Sequence, residues 1–577
     1  MAGNDNVPVL NGEVLVDKQS APNSEAAKVH EFTNDAAADN THEPIKCDVV
    51  VVGAGFSGVT AIHRLRKIGK TVKCFESGGD FGGVWYWNRY PGARVDSETP
   101  FYQLNIPEVY RNWNFRHRFP DHRELREYFA YIEKVLDLRK DVFFNSRVNS
   151  ATWDQERLQW TVKTQQGHIA HAKYLLLATG LLHRTYTPDF QGLDTYKGAL
   201  HHSGEWPENF VAAGKKIAII GAGATAVQIT QELGKQAKEL TVLLRRPSYC
   251  LPMGQRSWTE EEQRVWKAYY PAIFGSGRDS FAGFPISPRK EGLFDVTEKE
   301  REAIFEENWS RGGFHFGLGG FRNVLFDKDA NEVAYQFWRR KVCERLTDPE
   351  KQKIMAPEKK LYFYGTKRHP LEQDYYDVLN RSNVSIHDLK QVPLRGFWEK
   401  GLEMADGSRH EFDAVVLATG FDSYSGSITQ MGLKNKDGVD IKDVWKDGIS
   451  TYLGLTVGGF PNMFMVYSPQ APTPLSNGPT IIESQVEMSV DMIEKLDKEG
   501  AASIEAQKSA EDEWKHTLDA MSKMSLLPFT DSWWNGANIP GKKAENMIYI
   551  GGINIYEKQC RATFDEWKGF NVVSGKA

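Results

Sequence analysis

Cys47-Asp48-Val49-Val50-Val51-Val52 runs directly into Gly53-Ala54-Gly55-Phe56-Ser57-Gly58. A helical pattern follows from Val59 to Gly69, then a second apolar strand from Thr71 to Phe75 that ends on Glu76. The opening run is short, apolar and β-branched, the composition of a strand buried on both faces of a parallel sheet. Strand, glycine turn, helix, strand, acid is the order of a dinucleotide-binding βαβ unit. Gly53 permits the tight turn, Gly55 lets the backbone approach a pyrophosphate, and Gly58 lets helix pack on strand. The helix that starts at Phe56 and Ser57 presents N–H donors and a positive dipole end to the phosphates. Glu76 stands where a carboxylate accepts hydrogen bonds from an adenosine ribose.

The pattern recurs. Lys216-Ile217-Ala218-Ile219-Ile220 leads into Gly221-Ala222-Gly223-Ala224-Thr225-Ala226, a helix that carries Gln228, and a strand from Leu240 to Leu244. Here alanine replaces the third glycine, and Arg245 followed by Arg246 stands in the acid's place. A carboxylate there would repel a 2′-phosphate, whereas a guanidinium grips it with two hydrogen bonds, so the second unit is expected to select NADPH. The same pair also reads as a surface cap on a strand. The fold class expected is α/β, with two Rossmann-like dinucleotide-binding domains, one for FAD and one for NADPH.

Bulk properties agree with an enzyme of this kind. A chain of 577 residues is too long for one core. Its 71 basic and 76 acidic side chains nearly balance, which points to neither nucleic acid nor an anionic membrane as partner. No apolar run approaches the roughly 20 residues that span a bilayer. The five cysteines (Cys47, Cys74, Cys250, Cys343, Cys560) are scattered and form no Cys-x-x-Cys pair, which argues against a disulfide framework, a zinc site and a dithiol centre; no metal is expected. The expected setting is cytoplasmic. Residues 1–45 are polar and without period, and read as a flexible extension.

Two nucleotide units in one chain suggest a resident flavin and a diffusible hydride donor. The missing cysteine pair disfavours a dithiol acceptor and leaves dioxygen. Between the glycine turns lie two motifs. Gly82-Gly83-Val84-Trp85 with Tyr90-Pro91-Gly92-Ala93-Arg94-Val95-Asp96 is dense in glycine and aromatic rings. Tyr196-Lys197-Gly198 with His202, Trp206 and Pro207 precedes the second turn. On these motifs the chain resembles the type I Baeyer–Villiger monooxygenases, of the FAD- and NADPH-dependent class B flavoprotein monooxygenases. The first family fingerprint is matched from Gly82 to Asp96. The second is matched at Gly198, His202, Trp206 and Pro207, with Tyr196 in place of its phenylalanine.

The resemblance extends over Ala178-Thr179-Gly180, Gly365-Thr366-Lys367-Arg368, Ala418-Thr419-Gly420-Phe421-Asp422 and Trp533-Trp534-Asn535-Gly536. It implies an enzyme that uses NADPH and dioxygen, through a flavin C4a-peroxide, to convert a ketone to an ester or lactone, with a sulfoxidase side activity. It implies that Arg368 is catalytic and held by Asp96. FAD contacts would come from Gly53, Gly55, Phe56, Ser57, Gly58, Glu76, Gly83, Val84, Trp85, Asp96, Tyr102 and Val148. NADP contacts would come from Arg94, Val95, Asp96, the second glycine turn with Gln228, Arg245, Arg246, Lys367, Arg368 and Trp533. Thr473, Pro474, Leu475 and Gly478 would line the substrate pocket, and the fingerprint residues Gly198, His202, Trp206 and Pro207 would act conformationally. Taken singly, Arg368 also reads as a surface cation, Asp96 as a helix cap, His202 as a packed linker histidine and Trp533 as core.

The expected division is 46–181 and 411–577 for FAD, 182–252 and 361–410 for NADPH, and a helical insertion at 253–360. Within that insertion, helices are expected over Thr259–Tyr270, Thr297–Trp309 and Glu332–Leu346. A monomer is expected. An N- or S-oxygenase of the same class and an uncoupled NADPH oxidase or reductase remain as alternative readings.

Overall fold

The computed structural model describes residues 43–575, so the N-terminal extension expected over 1–45 falls almost wholly outside them. Ile45–Val52 is a strand, paired in parallel with Val72–Phe75 on one side and with Ile169–Leu177 on the other. Val49, Val50 and Val51 are fully buried, as a β-branched run with no polar alternation requires. The sheet continues from Val72–Phe75 to Val142–Phe143. On its other flank an antiparallel meander, Val148–Asp154, Gln159–Thr164 and Ile169–Leu177, extends it. Leu433–Lys434 and Met463–Met465 join from the far end of the chain. Helix Phe56–Lys67 buries Val59, Ile62 and Leu65 beneath helix Gly478–Lys498.

The second sheet is wholly parallel, in the order Val384–Asp388, Glu239–Leu244, Lys216–Ile220, Ala414–Leu417, Ala199–His202. This corrects the expected boundary at 411. Ala414–Leu417 belongs to the second sheet, wedged between Lys216–Ile220 and Ala199–His202, and the chain returns to the first sheet only after Leu417. A four-residue apolar run has the same local pattern in either sheet, so its partners decide.

The helical insertion departs after Leu251–Pro252, which pairs with Leu371–Glu372 where the chain returns. Trp338 ties it down by donating its indole N–H to the Cys250 carbonyl at 2.8 Å. Two of the expected helices start on capping boxes, Thr259 with Glu262 and Thr297 with Glu300. The third, Lys328–Arg345, begins about one turn before Glu332, because the Asp327 carboxylate accepts from the Asp329 and Ala330 N–H groups. Gly478, expected to line the substrate pocket, and Pro479 form the first turn of a helix whose N-cap is Asn477.

Candidate active site

At the first glycine turn the expected constraints are physical. Gly53 has φ +103°, and a Cβ on it would lie 2.5 Å from the Ala178 carbonyl oxygen. A Cβ on Gly58 would lie 1.9 Å from the Gly53 carbonyl oxygen. Gly55 faces Gly83, whose Cα would lie 3.2 Å from a Gly55 Cβ, so the two glycine motifs meet backbone to backbone. No side chain caps the helix that starts at Phe56, which leaves its first N–H groups free for an anion. Glu76 is buried and accepts from the Ala54 N–H at 2.7 Å and the Gly78 N–H at 2.6 Å. It therefore braces the turn, and a carboxylate retains further lone pairs for a ribose. Burial pushes its pKa up, against those hydrogen bonds.

The side chains around this cradle are aromatic. Phe56 packs edge-on against Tyr102 at 5.2 Å and Phe129 at 4.8 Å. The Trp85 indole, in the short helix Val84–Trp87, donates to the Tyr102 hydroxyl at 2.9 Å. Ser57 and Val148 are buried, the latter opening its strand.

The second turn repeats the constraint at Gly221, where a Cβ would lie 2.3 Å from the Ala418 carbonyl oxygen, but Gly223 opens onto free space. Helix Ala224–Gln236 also starts without a side-chain cap, on Ala224, Thr225 and Ala226. These cradles fit two dinucleotide pyrophosphates. Arg245 and Arg246 are exposed, and Arg246 lies 3.7 Å from Asp531. Burial, together with the charges of Arg246 and Arg245, pushes the Lys367 ammonium down to about 8, partly offset by Asp531. Two adjacent arginines and a lysine from a distant segment thus lie within electrostatic reach of one another. Gln228 is committed within the protein, accepting from the Tyr90 hydroxyl at 2.9 Å and donating to the Arg94 carbonyl at 3.0 Å. It ties the second helix to the Arg94–Val95–Asp96 segment.

Arg368 sits where the segments meet. Its Nε and Nη2 donate to the two carboxylate oxygens of Asp96 at 2.6 and 2.8 Å, and Nη1 donates to the Pro474 carbonyl at 2.8 Å. The Phe314 ring, from the helical insertion, lies 4.7 Å from the guanidinium carbon. Burial disfavours its charge, but Asp96 more than offsets this and holds the pKa above the ordinary value. Thr473–Leu475 forms a single 3₁₀ turn, pinned by the Thr473 hydroxyl donating to the Ser468 carbonyl at 2.8 Å. Gly478 faces Tyr102 and Tyr467, each 3.7 Å from where a Cβ would stand. Trp533 stacks on Tyr424 at 5.8 Å.

Tyr424, Tyr467 and Phe314 escaped the sequence reading. Tyr424 and Tyr467 have φ +66° and +56°, rare for tyrosine, and nothing in the sequence marks that conformation. Trp206 packs in the core against Phe210 at 5.1 Å. Burial pushes His202 down to about 4, so it is neutral, its Nδ1 accepting from the Gly204 N–H. Tyr196 donates to the Phe412 carbonyl at 2.8 Å, and a Cβ on Gly198 would collide with its hydroxyl at 2.2 Å.

A family model described as pyridine nucleotide-disulphide oxidoreductase matches residues 47–268. The FAD-binding monooxygenase acrE of Aspergillus aculeatus is 40% identical over 95% of this chain and 92% of its own. The cyclopentanone 1,2-monooxygenase of a Comamonas species is 39% identical over 92% and 96%. The solved structure of cyclohexanone monooxygenase from Rhodococcus bound to NADP⁺ superposes with a TM-score of 0.89 at 36% identity. That match covers 92% of this chain and all of the other.

Proposed function

Because the chain belongs to the type I Baeyer–Villiger monooxygenases, FAD- and NADPH-dependent enzymes that insert one atom of dioxygen into a ketone, we propose that its chemistry is organised around Arg368. FAD, held by the residues named below, would supply the means of activating dioxygen with electrons from NADPH. What this chain contributes is placement and charge. The Gly53–Gly58 turn, Gly83 and Glu76 hold the flavin nucleotide. The Gly221–Ala226 turn holds the nicotinamide nucleotide, and Arg245, Arg246 and Lys367 grip its 2′-phosphate. Arg368 keeps a permanent positive charge beside the ketone oxygen, where negative charge grows as the carbonyl is attacked. Asp96 fixes the plane of that guanidinium, with the Phe314 ring and the Pro474 carbonyl packed against it. The observation that carries this reading is the two-pronged Arg368–Asp96 pair.

Residues 46–181 with 418–575 serve as the FAD portion, and 182–252 with 361–417 as the NADPH portion. The substrate is a small ketone, cyclic ketones included, the product an ester or lactone, and sulfides are oxidised as a side reaction. Five free thiols suit a reducing cytoplasm, and we take the protein as a monomer. Incubation with a ketone panel under ¹⁸O₂ tests the reading: one labelled oxygen in an ester supports it, and N- or S-oxides alone, or peroxide alone, defeat it.

A further inference from the structure

Two tyrosines within electrostatic reach of Arg368 have left-handed backbone conformations. Strained residues of this kind persist where their surroundings over-determine them, chiefly at binding sites. Tyr424 has φ +66°, is 2% exposed, and its hydroxyl has no hydrogen-bond partner among the described residues. Its ring is fixed by the stack on Trp533. Tyr467 has φ +56°, its N–H is pinned to the Gln485 side chain at 2.7 Å, and its hydroxyl lies over Gly478. Both phenols feel the Arg368 charge, and Tyr424 also feels Tyr467. Tyr102, the third phenol here, already accepts from Trp85.

We propose that Tyr424, with Tyr467 beside it, is a specificity device that selects ketones carrying a second hydrogen-bonding oxygen away from the carbonyl, an inference that rests on the ketone binding beside Arg368. A buried hydroxyl without a partner is costly, and a ligand oxygen that pairs with it recovers that cost. A plain hydrocarbon ketone leaves Tyr424 unpaired, and a site built this way discriminates against such analogues. The nicotinamide carboxamide is the competing partner, because Trp533 is a proposed NADP contact.

Matched ketones differing by one oxygen, cyclohexanone with 4-hydroxycyclohexanone and phenylacetone with 4-methoxyphenylacetone, decide the matter in the holoenzyme. Wild type should favour the oxygenated member by about tenfold or more, both in kcat/KM and in calorimetric affinity for the NADP⁺-loaded enzyme. Tyr424→Phe should bring both ratios close to one, and Tyr467→Phe should lower them partway, with NADP⁺ affinity held within about twofold. No preference in wild type, or a preference that survives Tyr424→Phe, overturns the proposal. So does a Tyr424→Phe loss confined to NADP⁺ affinity, which would assign the phenol to the nicotinamide. Flavin content and melting temperature report folding, and were Tyr424→Phe misfolded, the Tyr467→Phe ratios would decide. If no ketone yields ester, the oxygenase reading fails, while the calorimetric ratios still judge Tyr424.

Discussion

Arg368 and Asp96, 272 residues apart in the chain, face each other with two parallel hydrogen bonds of 2.6 and 2.8 Å. Such a fork fixes both position and rotation of the guanidinium. Asp96→Asn keeps the shape but leaves only one accepting oxygen for the two donors. Ester formation should fall about 10- to 100-fold. NADPH consumption should shift toward hydrogen peroxide, read as the ratio of product to NADPH oxidised; full coupling at wild-type rate would refute the role of Asp96.

Lys367 is held near pKa 8 by burial and by Arg246 and Arg245. A 2′-phosphate stabilises its charged form, so binding takes up a proton once the pH exceeds about 8. NADP⁺ affinity should therefore be flat below that pH and decline above it, by at most about tenfold per pH unit. NAD⁺ lacks the phosphate and should show no such slope. Lys367→Met should abolish the difference between the two, measured by titration from pH 7 to 9.5.

Glu483 is buried on helix Gly478–Lys498 and accepts from the Asn105 N–H. Burial pushes its pKa up to about 7, Glu487 adds to the shift, and Arg64 and Arg278 oppose it. The folded state therefore binds the extra proton between about pH 4.5 and 7, and stability from this group declines as pH rises through that window. The effect is on the order of 3 kcal/mol at full ionisation. Glu483→Gln should flatten the decline, so its melting temperature should exceed that of wild type at pH 8 and approach it at pH 5.

The two glycine turns should respond differently to one methyl. Gly58→Ala drives a Cβ into the Gly53 carbonyl and should cost FAD content and folding together. Among the described residues, Gly223→Ala meets no atom beyond its own chain neighbours within 4 Å, so the chain should fold and bind FAD. Its Cβ nonetheless stands in the proposed phosphate path, and NADPH should bind more weakly. Flavin content and NADP⁺ titration separate the two outcomes.

Local chemistry explains what the sequence made legible. At Gly53, Gly58 and Gly221 a side chain is sterically excluded by the turn itself, so spacing alone exposes both nucleotide units. The charge swap from Glu76 to Arg245 is equally local. Arg368 and Asp96 are different: alone, the one reads as a surface cation and the other as a helix cap, and only their resemblance to a family joins them ahead of the fold. Phe314 reaches the site from the far side of a long insertion, and Tyr424 and Tyr467 owe their placement to backbone angles set by tertiary packing. The sheet that Ala414–Leu417 joins is not legible in the sequence, because strand partners are not written in a four-residue run.

The most direct test is Arg368→Ala incubated with ketone, NADPH and ¹⁸O₂, with flavin reduction followed by absorbance and products by mass spectrometry. The account predicts a flavin that NADPH still reduces, continued dioxygen uptake, and labelled ester reduced by about 100- to 1000-fold or more. Labelled ester at the wild-type rate would contradict it.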